Sequence, residues 1–180
     1  MPDLGSALLQ LARDAIAGRF GLPAMAAPDD PPELGEPGAT FVTLMQDSNL
    51  RGCIGTLLPH QSLANDVREN AYNAAFRDPR FPPLTLQEWA RTKVEVSLLT
   101  PPQPMQLKDE ADALAQLRPG VDGIVLSAGY RRATFLPQVW EQLPTPSEFL
   151  AHLKRKAGLP ADYWGPDVQL ERYEVRKWKE

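Results

Sequence analysis

The chain has 180 residues, a formal net charge of −4, 43% hydrophobic residues and 23% charged residues. These values are typical of a globular protein that can build one core without disulfides or a structural metal, and the acidic balance argues against a dedicated nucleic-acid-binding protein. The single cysteine excludes an intrachain disulfide and a cysteine-rich zinc site. With no signal-peptide pattern and no apolar run long enough to span a membrane, we predict a cytoplasmic protein that does not interact with membranes.

The first third of the chain predicts a helix, a loop and a strand pair. Apolar residues at helical spacing from Leu4 to Ala15 predict an amphipathic helix that ends near Arg19. Residues 21–38 are acidic and rich in proline and glycine, so they predict a mobile loop, either a lid over a site or a surface excursion. Residues 40–45 and 50–57 then predict two strands joined by a turn.

Capping signals predict where three later helices begin. Ser62 is an N-cap for a helix that ends near Phe76, ahead of a proline-rich segment. Thr85 opens a capping box for a short helical turn. Thr145 is followed by Pro at the first helical position and Glu at the third, and Gly158 supplies the stop.

The remaining segments predict strands and one further helix. They are strands over residues 93–99, 123–127 and 132–136, a helix over 108–117, and a final strand over 168–178 with a bulge near Arg172. Hairpins and single strands separated by helices favour an α+β fold with a mostly antiparallel sheet flanked by helices. We predict one domain over residues 1–180, although the length also permits a small appended subdomain.

The run Arg51-Gly52-Cys53-Ile54-Gly55 is the main candidate site. In a strand, Arg51, Cys53 and Gly55 would share one face, and a guanidinium beside a thiol favours the thiolate. Glycines inside a strand indicate a bulge or the close approach of a ligand or backbone, which makes Gly52 and Gly55 candidates for ligand contact together with Arg51. Two interpretations stay open: a reactive thiol at a binding strand, or a buried cysteine packed as a small hydrophobe.

A nucleophilic cysteine normally needs a base, and the chain offers few. His60 follows the cysteine strand, so proximity to Cys53 is possible, but a surface histidine is the competing interpretation. His152 is expected on the solvent side of the helix that begins after Thr145. Glu95 lies in a strand expected to join the same sheet, where it would either belong to the site or face solvent. The residue types predict no metal site and no phosphate-binding loop.

Residues 50–56 resemble the signature strand of the AMMECR family. The likeness continues through residues 70–84, 94–101, 121–124, 134–140 and 163–164, in order over nearly the whole chain, and departs in the acidic loop at 21–38. The resemblance implies a compact α+β protein with a sheet-containing part and a smaller helical part. It implies no settled biochemical activity and no cofactor, so whether the chain is an enzyme stays open.

The resemblance also implies protein partners. Similar bacterial and archaeal proteins often accompany a Memo-type protein and a radical-SAM protein, in a set called the AmmeMemoRadiSam system. The resemblance implies that this chain is component A of that set. The chain lacks a three-cysteine iron–sulfur motif, so it is not the radical enzyme itself. Two hypotheses follow: small-ligand binding or thiol chemistry at Cys53 with Arg51 holding an anionic group, or a non-catalytic accessory protein that docks to one of these partners.

Overall fold

The computed structural model describes residues 3–25 and 30–180 and confirms the α+β fold. In chain order, the helices and strands are α1 (Leu4–Arg19), β1 (Ala39–Gln46), β2 (Asn49–Gly55), α2 (Leu63–Phe76), α3 (Leu86–Trp89), β3 (Lys93–Leu99), β4 (Gln103–Pro104), α4 (Glu110–Gln116), β5 (Gly123–Ala128), β6 (Arg131–Phe135), α5 (Pro146–Lys156), β7 (Val168–Tyr173) and β8 (Val175–Lys179). The chain divides into two compact units, the first formed by Met1–Leu99 with Arg176–Glu180 and the second by Thr100–Val175.

Local capping places the helix starts as predicted. The side-chain oxygens of Ser62, Thr85 and Thr145 each accept a hydrogen bond from the backbone N–H three residues later. These bonds satisfy N–H groups that have no partner inside the helix, which is why such residues mark helix starts in a sequence. Helix α1 likewise ends at Arg19, as its apolar spacing predicts.

The first unit is a four-stranded sheet, in the order β2-β1-β3-β8, with helices α1 and α2 packed on one face. Strand β1 pairs antiparallel with both β2 and β3. Because side chains alternate along a strand, Val42 and Leu44 point into the core under the helices and are fully buried. The opposite face, called here the outer face, carries Phe41, Thr43 and the residues paired with Thr43.

The second unit contains a sheet of its own, in the order β4-β7-β5-β6, with helices α4 and α5. Its core is separate from that of the first unit and includes Trp140 stacked on Phe149, with ring centroids 3.9 Å apart. The second unit is the smaller part of the protein, which the resemblance describes as helical. It contains hydrogen-bonded strands beside its helices.

The predicted final strand over residues 168–178 is wrong as a single element. It divides at Glu174 into β7, which joins the second sheet, and β8, which joins the first. Glu174 forms two hydrogen bonds with Thr100: its N–H donates to the Thr100 side-chain Oγ1, and its carbonyl accepts from the Thr100 N–H. Alternation is a local signal, whereas the partner of each half is set by tertiary contacts.

The second half of the predicted mobile loop is attached to the fold. Pro32–Gly35 forms a 3-10 helix with Leu34 buried, and Pro37 bridges to Ser62 at the start of α2. The buried Leu34 side chain attaches this segment to the fold, an effect that the acidic, proline-rich composition of residues 21–38 does not indicate. Residues 26–29 of this loop lie outside the described residues. Among the helices of the described ranges, none has the length and apolarity needed to cross a membrane.

Candidate site at the cysteine strand

A β-bulge removes Arg51 from the face of Cys53. In the β1–β2 register Leu44 pairs with Gly52 but Met45 pairs with Leu50, so Arg51 is the extra residue. A bulged residue leaves the regular alternation and its side chain is re-aimed. The prediction that Arg51 and Cys53 share one face is therefore wrong.

The Arg51 guanidinium is bound to Glu88 of α3. Its Nε lies 2.7 Å from Glu88 Oε2, its Nη2 lies 3.2 Å from Oε1, and Nη2 also donates to the Pro82 carbonyl at 2.7 Å. Only 7% of Arg51 is exposed. The hydrogen bonds from Arg51 lower the pKa of Glu88 to about 2, despite the opposing effect of burial. The charge of Arg51 is thus neutralised inside the fold and is not offered to a ligand of Cys53.

The two glycines of the strand are explained by packing. A Cβ on Gly52 would lie 2.2 Å from the Ala74 carbonyl oxygen of α2, and one on Gly55 would lie 2.2 Å from the Phe41 ring. Neither distance is compatible with a side chain, so the helix and the ring require glycine here. The glycines do allow the close approach that the sequence predicts, but the groups that approach are the Ala74 carbonyl and the Phe41 ring and not a ligand.

The Cys53 thiol lies on the outer face, half-buried. Thr43 Oγ1, on the neighbouring strand, donates to Cys53 Sγ at 3.3 Å. The backbone of Cys53 is bound from the other side, where β2 is the edge of the sheet: its N–H donates to Asp78 Oδ2 at 3.0 Å and its carbonyl accepts from Arg80 Nη2 at 3.3 Å. Asp78 and Arg80 thus take the place of a neighbouring strand at this point.

Asp78 holds Arg80 in a fixed position. Asp78 accepts three hydrogen bonds from Arg80, from the backbone N–H and Nε to Oδ1 and from Nη2 to Oδ2, at 2.8 to 3.1 Å. These bonds, with the one from the Cys53 amide, hold the pKa of Asp78 well below its usual range. The Asp78 side chain is 2% exposed, whereas that of Arg80 is 53% exposed.

Arg80 therefore presents a guanidinium to solvent beside Cys53. The cation expected from Arg51 is supplied instead by a residue that the sequence placed only within the family resemblance. The run Asp78-Pro79-Arg80 carried a usable signal, because an aspartate that follows a helix end commonly binds backbone N–H groups two residues on.

Glu95 lies on the same outer face as Cys53 but does not touch it. Thr43 pairs with Cys53 on one side and with Glu95 on the other, so the three side chains form a row across three strands. Adjacent cross-strand Cβ atoms are about 5 Å apart, which puts Glu95 about 10 Å from Cys53. Glu95 binds Lys177 at 3.2 Å and lies 3.7 Å from Lys179.

His60 does not lie beside the thiol. His60 Nε2 lies 3.9 Å from Asp66 Oδ1, beyond hydrogen-bond distance. Asp66 belongs to α2 and binds Thr40, which shares the core-facing side of β1 with Val42, so His60 lies at the helix side of the sheet. His152 is exposed on α5 in the second unit, as expected.

The second unit has surface grooves of its own. Three surface grooves, of about 550, 410 and 380 Å³, are lined by residues of the second unit and by none of the predicted site residues. Over residues 3–25 and 30–180, no three His, Cys, Asp or Glu side chains are grouped as metal binding would need.

Comparison with known proteins extends over nearly the whole chain. The AMMECR1 family model matches residues 9–178. The chain belongs to the AMMECR1 family. A protein of Methanothermobacter thermautotrophicus is 38% identical over 99% of this chain and 95% of its own length. Protein MJ0810 of Methanocaldococcus jannaschii is 36% identical over 98% of this chain and 90% of its own length.

A solved structure shares the fold. The crystal structure of uncharacterised protein PH0010 from Pyrococcus horikoshii matches with a TM-score of 0.83 and 36% sequence identity, covering 98% of this chain and 91% of that one. The comparisons thus establish both the fold and the family of this AMMECR1 protein, while a shared fold does not by itself determine an activity.

Proposed function

We propose that this AMMECR1-family protein binds a small anionic ligand on the outer face of its first sheet, with the Cys53 thiol as the group that reacts with or ligates it. The observation that carries the proposal is the half-exposed Arg80 guanidinium, fixed by buried Asp78 and bonded to the Cys53 carbonyl. A fixed cation at an exposed position attracts an anion without the entropy cost of ordering a free side chain.

The charges around the row favour an anion. Arg80 lies at one end, beside Cys53, and Lys177 and Lys179 lie at the other, beside Glu95. Asp78 and Glu95 already bind cations, Asp78 through Arg80 and Glu95 through the lysines. The cations are more exposed than the carboxylates they bind, with side-chain exposures of 39% for Lys177 and 14% for Glu95. An approaching ligand therefore meets positive charge first.

Two groups of this surface contact Cys53: the Thr43 hydroxyl donates to its sulfur at 3.3 Å, and the Arg80 guanidinium binds its carbonyl at 3.3 Å. His60 lies on the helix side of the sheet, and Glu95 is too distant for direct proton transfer. The proposed chemistry is therefore that of a thiol beside a fixed cation, without His60 or Glu95 as its base.

The test compares two alkylating reagents that differ in charge. Iodoacetate is anionic and iodoacetamide is neutral, and both react with the chain's single cysteine. We expect Arg80→Gln to lower the ratio of the iodoacetate rate to the iodoacetamide rate by about tenfold, the value of one favourable charge contact of about 1.4 kcal/mol. Arg80→Lys should restore much of the ratio because it keeps the charge.

Arg77→Gln is the matched control, since Arg77 is exposed nearby and stacks on Tyr72 instead of binding Asp78. Circular dichroism of each variant checks that the fold is kept. An unchanged rate ratio in Arg80→Gln, or an equal fall in Arg77→Gln, would refute the anionic site. Failure of both reagents to modify the folded protein would refute a reactive Cys53.

A further inference from the structure

A half-buried aromatic ring lies beside Cys53 on the outer face of the first sheet. Phe41 of β1 pairs with Gly55 of β2. Two residues along, Thr43 pairs with Cys53, so the four positions lie on one face. Phe41 and Cys53 are diagonal neighbours across the two strands, and such positions are about 7 to 8 Å apart, within the reach of an aromatic side chain.

The Phe41 ring lies directly over Gly55. A Cβ on this glycine would collide with three carbons of the ring. Because that Cβ would point away from the sheet, the ring occupies the space above the glycine, with one side against the backbone. Phe41 is half-buried, so part of its ring is accessible, and its other partner across the sheet is Ser97, a small residue that is also half-buried.

The exposed cation of this surface lies along the same stretch of β2. Arg80 Nη2 donates to the Cys53 carbonyl at 3.3 Å, and 53% of the Arg80 side chain is exposed. The Cα atoms of Cys53 and Gly55 are about 7 Å apart, because they are two residues apart on a strand. A molecule that carries a carboxylate on a single ring has about this length, so it can reach the guanidinium and the Phe41 ring together.

The guanidinium and the ring together select the ligand. Nε and Nη2 of Arg80 bind Asp78 and the Cys53 carbonyl, whereas Nη1 donates to no other group within residues 3–25 and 30–180. A small inorganic anion would use this donor alone and leave the Phe41 ring without a contact. An aromatic ring adds an offset-stacked or edge-to-face contact, which contributes more than the burial of its area alone.

We propose that the ligand of this surface is an aryl carboxylate, a molecule with one carboxylate on an aromatic ring. Its carboxylate accepts a hydrogen bond from Arg80 Nη1, and its ring packs on the accessible part of the Phe41 ring, beside the Cys53 thiol. This inference rests on the proposed anionic site and adds the chemical class of the ligand. Binding alone involves no covalent step, and Cys53 reports it because a bound ligand covers the thiol.

The test measures how well carboxylates protect Cys53 of the full chain from alkylation by iodoacetamide. We expect benzoate to halve the alkylation rate at a concentration about tenfold lower than acetate, because only benzoate contacts the Phe41 ring. Cyclohexanecarboxylate has the same charge and a similar size but no aromatic ring, so it should protect more weakly than benzoate. Arg80→Gln should weaken protection by benzoate and by acetate by a similar factor, because both use the guanidinium.

Phe41→Leu should remove most of the preference for benzoate over acetate while protection by acetate is kept. Phe20→Leu is the matched control, since Phe20 is also half-buried but contacts Phe76 at the end of α1, on the helix side of the sheet. Equal protection of the wild type by benzoate and acetate, or by benzoate and cyclohexanecarboxylate, would overturn the inference. So would a preference that survives Phe41→Leu or that Phe20→Leu removes equally.

These measurements separate the class of the ligand from the anionic site itself. If the ratio of the iodoacetate rate to the iodoacetamide rate falls in Arg80→Gln but the three carboxylates protect equally, the aryl ligand is refuted and the anionic site stands. If that ratio does not respond to Arg80→Gln, the proposed function is refuted, and the inference that rests on it is refuted too.

Discussion

Arg51 and Glu88 form a charge pair that belongs to the fold. Arg51 is almost completely buried, and its Nε and Nη2 bind both oxygens of Glu88. Its Nη1 is buried and has no partner among the described residues. A buried guanidinium that loses its carboxylate leaves an uncompensated charge, so removal of Glu88 should cost far more than removal of an exposed glutamate.

The pH dependence of stability should report this pair. The pKa of Glu88 is lowered from 4.5 to about 2 in the fold, so its contribution is present above pH of about 4.5 and is lost as the pH falls toward 2. At neutral pH we expect Glu88→Gln to lower the free energy of unfolding by about 3 kcal/mol, the equivalent of the pKa change. Urea denaturation should show the difference from wild type shrinking below pH of about 4.

Glu33→Gln supplies the control for this measurement, because Glu33 is exposed on the 3-10 helix and forms no ion pair within the described residues. It should leave the curve within about 0.5 kcal/mol of wild type, the usual effect of a surface change. A difference between Glu88→Gln and wild type that stays constant from pH 7 to 2 would contradict the charge pair as its origin.

At the scale of elements, β2 depends on the close approach of α2. The ideal Cβ of Gly52 would meet a backbone carbonyl, which cannot rotate away. We therefore expect Gly52→Ala to destabilise the protein by about 2 kcal/mol, a typical cost of overpacking. Gly18→Ala, near the end of α1 with open space around it, should be neutral or slightly stabilising. Thermal unfolding measures both, and similar midpoints for the two variants would contradict the packing argument.

The elements also separate what a sequence can and cannot predict. The starts at Ser62, Thr85 and Thr145 follow from bonds between residues three apart, so the information lies within one turn of chain. The displacement of Arg51 depends on which residues of β1 it faces, and a one-residue change of register reverses the face of a side chain.

The candidate site could likewise be predicted only as far as local sequence patterns determine it. Cys53 and Glu95 were expected on one sheet, and the structure places them on one face with Thr43 between them. The sequence does not predict a role for Arg80, because its contact with Cys53 spans 27 residues and requires the turn after α2 to fold back on the sheet edge. No local pattern encodes that return.

At the scale of the whole molecule, each unit has a hydrophobic core of its own. In the second unit, Phe149 is fully buried, stacks on Trp140 and meets the edge of Phe135. Phe149→Ala should cost about 3 to 5 kcal/mol, because it removes a large apolar side chain and leaves a cavity. Since the core of the first unit contains none of these residues, the loss should be confined to the second.

Amide hydrogen exchange measures where the stability is lost. In Phe149→Ala we expect the amides of β5 and β7 to exchange faster than in the wild type, by a factor that corresponds to the lost free energy of unfolding. The amides of β1 and β3 should exchange at the wild-type rate. Val67→Ala, at a fully buried position of the first core, is the reciprocal variant and should expose β1 and β3 while sparing β5 and β7. Equal acceleration in both sheets for either variant would mean that the two cores open as one cooperative structure.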